Sequence, residues 1–95
     1  MCNLENAKRI AENEIKSILD RRTDLRKYKF EPVEFVREND WYWVFAAGSK
    51  QLQSEGFAPG AILVGVDKSD GHLWTKADYD NLSVRLKNEN ILQAA

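Results

Sequence analysis

The side chains able to do chemistry crowd into one stretch of this chain, Ala61 to Leu82, which reads AILVGVDKSDGHLWTKADYDNL. Within it, Asp67-Lys68-Ser69-Asp70-Gly71-His72 brings together two carboxylates, a hydroxyl and the only imidazole. Three uses are conceivable: holding a cation, running acid–base catalysis, or turning a corner. A calcium loop of the EF-hand kind needs oxygen ligands at alternating positions, a glycine at its sixth position and a glutamate at its twelfth. Counted from Asp67, the fifth position falls on Gly71, the sixth on His72 and the twelfth on Asp78, so the register fails. Zinc wants several Cys or His ligands, and the chain offers His72 and the distant Cys2 alone. His72 with Asp67 could form a general base in principle, but no paired nucleophile is evident beside it in sequence. Asp70-Gly71 between apolar runs is instead a turn signal, with glycine accepting positive φ. The expectation is a hairpin corner, with no catalytic residue, no metal ligand and no cofactor site.

Other candidates fail on spacing. GFAPG and GVDKSDG lack the phosphate-loop pattern. Asp78 and Asp80 face apart on a helix and suit its N-terminus, where negative charge is favoured. Fourteen basic against fifteen acidic residues give a net charge of -1, which argues against a nucleic-acid binder. The balance tilts along the chain: residues 1–37 hold nine Lys/Arg and seven Asp/Glu, residues 38–95 five and eight, so the second part is mildly acidic. Cys2 cannot form an internal disulfide and is expected at a frayed terminus. No apolar run approaches ~20 residues, so no membrane span is expected. The charged start MCNLENAKRIAENE carries no apolar leader segment, and the cytoplasm is the expected compartment.

The elements that would position these residues follow from periodicity. Asn3 can cap a helix from about Leu4, where Leu4, Ala7, Ile10, Ala11, Ile15, Ile18 and Leu19 recur at spacings of three and four. That helix should end near Asp20 to Arg22, with the following RRTDLRKYK supplying cations to its C-terminal dipole. Residues 28–38 read as a strand in which Pro32 marks an edge, a bulge or the strand start, and its part 33–37 pairs across Glu38-Asn39-Asp40 with a second strand at 41–47. That strand, WYWVFAA, is apolar on both faces: Trp41, Trp43, Phe45 and Ala47 point one way, Tyr42, Val44 and Ala46 the other. Residues 48–60 form a long loop punctuated by Gly48, Gly56, Pro59 and Gly60, with Leu52 its anchor on a short helical turn. A further strand covers 61–68, and His72-Leu73-Trp74 is a short additional partner. Thr75 and Asp78 make an imperfect capping box for a short last helix, with Tyr79, Leu82 and Leu86 in a stripe that extends toward Ile91 and a tail that frays. The result is a single α+β domain, 1–95, with an antiparallel sheet of three to four strands against the N-terminal helix in two layers.

This arrangement resembles the bacterial YrhB-like, immunity protein 35 family. The resemblance spans roughly residues 4–80. It rests on the NAKRIAENEIKSIL helix, the Trp-rich strand with Trp43 and Phe45, and the strand and turn of Val66, Asp67, Lys68 and Gly71. The family's Gly-Pro approach to that strand is altered here to Pro59-Gly60. The strand-and-turn signature is also similar to that of peptidase-propeptide-like domains, which bind a protease without catalysis. The resemblance implies a small cytoplasmic protein that neutralises a toxin by binding it, with chaperone-like behaviour as the alternative. It supplies no catalytic residue to carry over.

The expected function is therefore non-enzymatic binding of a cognate protein toxin, or of client proteins. Trp41, Tyr42, Trp43, Phe57 and Trp74 are the expected anchors, since aromatic side chains dominate the centres of such interfaces. A free strand edge near Pro32 offers a possible homodimer, which the proline and nearby charges oppose.

Overall fold

Asn3 starts the first helix by the expected device. Its backbone is extended and its side-chain oxygen accepts the Asn6 N–H at 2.8 Å, satisfying one of the donors a helix start leaves open. The computed structural model describes residues 2–57 and 60–94, and side chains as far as Asn88. The expectation placed on Pro59 and the side chain of Ile91 thus lies outside the described residues. Helix α1, Leu4–Arg21, buries Ala7, Ala11 and Ile15, one residue per turn, with Ile10, Ile18 and Leu19 packed partly around them. The Arg26 guanidinium donates to the Leu19 and Asp20 carbonyls at 3.2 and 2.5 Å, so a cation does close the helix. A 3-10 turn follows at Thr23–Leu25.

Strand β1 is Glu34–Glu38, shorter than the expected 28–38. The missing part leaves the ladder: the Lys29 N–H donates to Gln51 Oε1 (2.9 Å), and a single bond, from the Glu31 N–H to the Gly48 carbonyl at the end of the next strand (2.8 Å), still ties it to the sheet. Pro32 has no N–H to give a ladder. Strand β2, Tyr42–Gly48, pairs antiparallel with β1, with a bulge between Phe35 and Arg37. Asn39 closes their turn, its side-chain oxygen accepting the Trp41 and Tyr42 N–H groups at 2.9 and 3.0 Å.

Ser49 caps the short helix α2, Lys50–Ser54, and Leu52 is buried there as the expected anchor. Strand β3, Ala61–Asp67, completes a three-stranded antiparallel sheet in the order β1-β2-β3. The expected further partner is a single bridge between Val66 and Leu73. Helix α3, Lys76–Ala94, is longer than the short helix expected and runs through the tail expected to fray. From His72 onward the sequence contains no glycine or proline, and Leu, Arg, Lys and Glu propagate a helix well. Its Thr75–Asp78 box forms: Asp78 Oδ2 accepts the Thr75 N–H at 2.8 Å, and Thr75 Oγ1 accepts the Asp78 N–H at 3.4 Å.

The architecture is α+β. The core lies between α1 and one sheet face, where Ala7, Ala11 and Ile15 meet Phe45, Ala47, Val64 and Val66. Alanines on the helix let its backbone approach the sheet closely. No helix among the described residues is long and apolar enough to cross a membrane.

Candidate functional site

The Asp67 carboxylate organises the corner that follows β3. Its Oδ2 accepts the Ser69 N–H (2.9 Å), the Ser69 hydroxyl and the Asp70 N–H (3.3 Å), and its Oδ1 accepts the Trp74 indole N–H (2.9 Å). Gly71, at φ 77°, returns the chain, its N–H bonded to the Asp67 carbonyl at 3.1 Å. A side chain there would also meet Cys2 Sγ and Ile10 Cδ1, each 3.1 Å from the place a Cβ would occupy. Cys2 was expected at a frayed end. It packs against this corner instead, because the start of α1 lies antiparallel to the end of β3.

Burial raises the Asp67 pKa, but the hydrogen bonds from Ser69, Trp74 and Asp70 outweigh it and hold the value at about 2. His72 stands between two acids, its Nδ1 2.6 Å from Asp70 Oδ1 and its Nε2 3.5 Å from Asp78 Oδ2. The bond to Asp70 is the main reason its pKa is raised. One ligand atom from each of Asp67, Asp70 and His72 lies within 4.8 Å of the others, so the three could face one cation. To do so they would have to surrender bonds already made: both Asp67 oxygens hold the turn or Trp74, and Asp70 Oδ1 also accepts the His72 N–H at 3.0 Å. Both nitrogens of His72 face carboxylates, Asp70 on one side and Asp78 on the other. The corner works as a lock that fixes Trp74 and ties the turn to α3.

What the lock positions is aromatic. Trp74 lies 4.3 Å from Tyr42 and 5.2 Å from Tyr79, centroid to centroid, and Tyr42 and Tyr79 are 5.4 Å apart, edge to face. Strand alternation places this trio opposite α1, since Tyr42 and Val44 point away from the face that carries Phe45 and Ala47. Val44 is buried beneath them. Gly65 makes the room: a Cβ there would fall 2.2 Å from the Tyr79 hydroxyl and 3.3 Å from Trp74 Cβ. Gly65→Val is therefore expected to cost about 1–3 kcal/mol by overpacking and to change the near-UV circular dichroism as Tyr79 is displaced. An unchanged aromatic spectrum would show that Tyr79 does not rest on β3.

Of the five expected anchors, Tyr42 and Trp74 meet. Trp43 turns to the α1 face, packs partly against the core and has Lys68 Nζ 5.6 Å over its ring. Trp41 sits at the β1–β2 turn, partly buried. Phe57, 58% exposed, lines a separate cavity of about 530 Å³ with Ile18, Leu25, Tyr28, Leu52 and Ile62. Tyr79 was missed as a site residue because its periodicity reads as helix stripe. The available signal was Gly65 inside an apolar strand, a mark of close approach by another group. Compared with protein-family models, curated proteins and solved structures, the chain matches none of them.

Proposed function

We propose that this chain is a non-enzymatic binding protein that neutralises a cognate protein toxin by occupying it, as the resemblance to bacterial immunity proteins implies. The observation that carries this reading is the Tyr42–Trp74–Tyr79 trio on the sheet face away from α1, with Tyr79 supplied by the first turn of α3. Three partly buried rings, held from behind by Asp67 and Gly65, are pre-ordered, so little side-chain entropy is lost when a partner covers them. Arg37, Asp78 and His72 supply polar groups around them, the rim that an interface of this kind needs.

The test is affinity capture from the native host with the full chain as bait. A single stoichiometric protein supports the toxin reading, and its absence counts against it. Tyr42→Ala and Tyr79→Ala each leave the Asp67–Trp74 bond in place, and each should weaken binding by more than about 1 kcal/mol. Phe57→Ala, on another surface, should change it little. Equal affinity across the two tyrosine variants, with the fold intact, rejects this surface. A second reading, chaperone-like capture of apolar client segments, is favoured by the spread of exposed apolar residues over several elements, Phe35, Val36, Phe57, Leu63 and Val84. It predicts many substoichiometric clients in the same experiment.

A further inference from the structure

We propose that the free half of the β3 edge is a homodimerisation surface, at which two copies of this chain join β3 to β3 in one continuous antiparallel sheet. The proposal does not rest on the toxin reading, although the edge borders the aromatic trio: Leu63 and Gly65 line one groove with Trp74 and Tyr79. Backbone groups along β3 alternate between the β2 side and the outside. The phase is fixed by the Ser49 N–H to the Gly60 carbonyl (3.0 Å) and the Lys68 N–H to the Trp41 carbonyl (2.9 Å), both on the β2 side. Ala61, Leu63, Gly65 and Asp67 therefore face outward. At the far end the outward groups are used, by the Trp74 N–H to the Gly65 carbonyl (2.8 Å) and by the Asp67 N–H to the His72 carbonyl (2.9 Å). At the near end, the N–H and C=O groups of Ala61 and Leu63 have no hydrogen-bond partner among the described residues.

Proteins usually blunt a free edge with proline, a bulge or charge. The outer edge of β1 has all three: Pro32 just before it, the bulge after Phe35, and Glu34, Arg37 and Glu38 along it. Ala61-Ile62-Leu63-Val64 carries no charge and no bulge, although Pro59 precedes it in sequence as Pro32 precedes β1, and Leu63 is 50% exposed. An unprotected edge of this kind is a template for another strand.

The charge along its border favours a second copy as the occupant. Beside residues 63–65 the edge is bordered by Glu14 and Ile18 of α1 and, from the other face, by Trp74, Thr75 and Tyr79; beside residues 60–62 it is bordered by Ile18 and by Arg22, Asp24 and Lys27 just beyond α1. Arg22 is held by Asp24 at 2.8 Å and Glu14 by Arg21 at 3.1 Å, whereas Lys27 makes no ion pair among the described residues and would join the Glu14–Arg21 pair of the other copy. A two-fold axis through Ile62, perpendicular to the sheet, sets Ala61 of each copy opposite Leu63 of the other and pairs the free groups of both. It keeps both α1 helices on the same side and brings Glu14 of each copy to the Lys27 end of the other. The edge is thus complementary to itself in hydrogen bonding and in charge.

Sedimentation of the full chain from about 1 μM to about 1 mM should show a reversible monomer–dimer equilibrium. Leu63→Lys sets like charges near the axis, and Leu63→Pro removes an outward N–H while sparing the β2 ladder. Each should raise the dimer Kd about tenfold or more with the monomer's far-ultraviolet circular dichroism unchanged. If the proline variant does not fold, the lysine variant carries the test. Glu14→Lys and Lys27→Glu should each weaken the dimer, and the two together should restore it. A wild type that stays monomeric throughout, a dimer unaffected by Leu63→Lys, or charge reversals without recovery would overturn the proposal.

Discussion

Phe45→Ala is expected to destabilise the chain by about 3–5 kcal/mol, near the upper end for a truncated aromatic. Phe45 is 0% exposed at the middle of the central strand. Its ring meets Phe35 edge to face at 6.0 Å and belongs to the cluster built by Ala7, Ala11 and Ile15 from α1 and Val64 and Val66 from β3. The cost of a cavity depends on how far its walls can collapse. Here two wall residues on the helix are alanines, with no longer side chain to swing into the gap, and the strand on either side of Phe45 is pinned by pairing to both neighbours. A domain of this size has a total stability of only about 5–15 kcal/mol, so the variant should be close to unfolding at ordinary temperature. Urea denaturation measures the loss as a fall in midpoint, with Phe45→Leu as a milder companion. A loss below about 1 kcal/mol would mean that α1 is not seated on this residue.

The same residue shows what the sequence makes legible. Phe45 sits in a strand apolar on both faces, and alternation alone separates it from Tyr42 and Val44. The stripe at Ala7, Ala11 and Ile15 supplies the cover, so the α+β layering follows from two periods, one of about 3.6 and one of 2. Local signals were equally readable: Asn3, Leu52, the Thr75–Asp78 box and the positive φ of Gly71. What stayed hidden depends on contacts between distant segments. Nothing near Cys2 announces that it will lie against Gly71, and nothing near Tyr79 announces that its hydroxyl will occupy the space a Gly65 side chain would fill. Residues 28–33 look like strand until the Lys29 N–H is taken by Gln51 of α2. The candidate site was therefore half legible. Tyr42 and Trp74 were identified by type, whereas their convergence with Tyr79 depends on a turn whose geometry is set by one carboxylate.

Asp67→Ala is expected to cost about 1–3 kcal/mol, because it leaves the donors of Ser69, Asp70 and the half-buried Trp74 without their shared acceptor. The loss should reach function as well: with its indole N–H freed, Trp74 no longer has a fixed position against Tyr42, and partner affinity should fall with stability. The pH dependence gives a separate check. The folded-state pKa of about 2 lies below the ordinary 3.8, so the ionised carboxylate favours the fold. That contribution, on the order of 2 kcal/mol, is fully present well above pH 3.8 and is lost as pH falls through about 2. His72 has the opposite sign: its pKa is raised, so its contribution is present below its ordinary value of 6.5 and disappears as pH rises through the folded value. Asp67→Asn separates the two. It keeps one oxygen acceptor, directs an N–H₂ group at the remaining donors, and removes the acid-side titration while leaving the His72 side in place. Urea midpoints measured across pH should fall for the wild type between about pH 4 and 2 and lose that component in the asparagine variant. Identical acid-side profiles for the two proteins would show that Asp67 does not lock the corner.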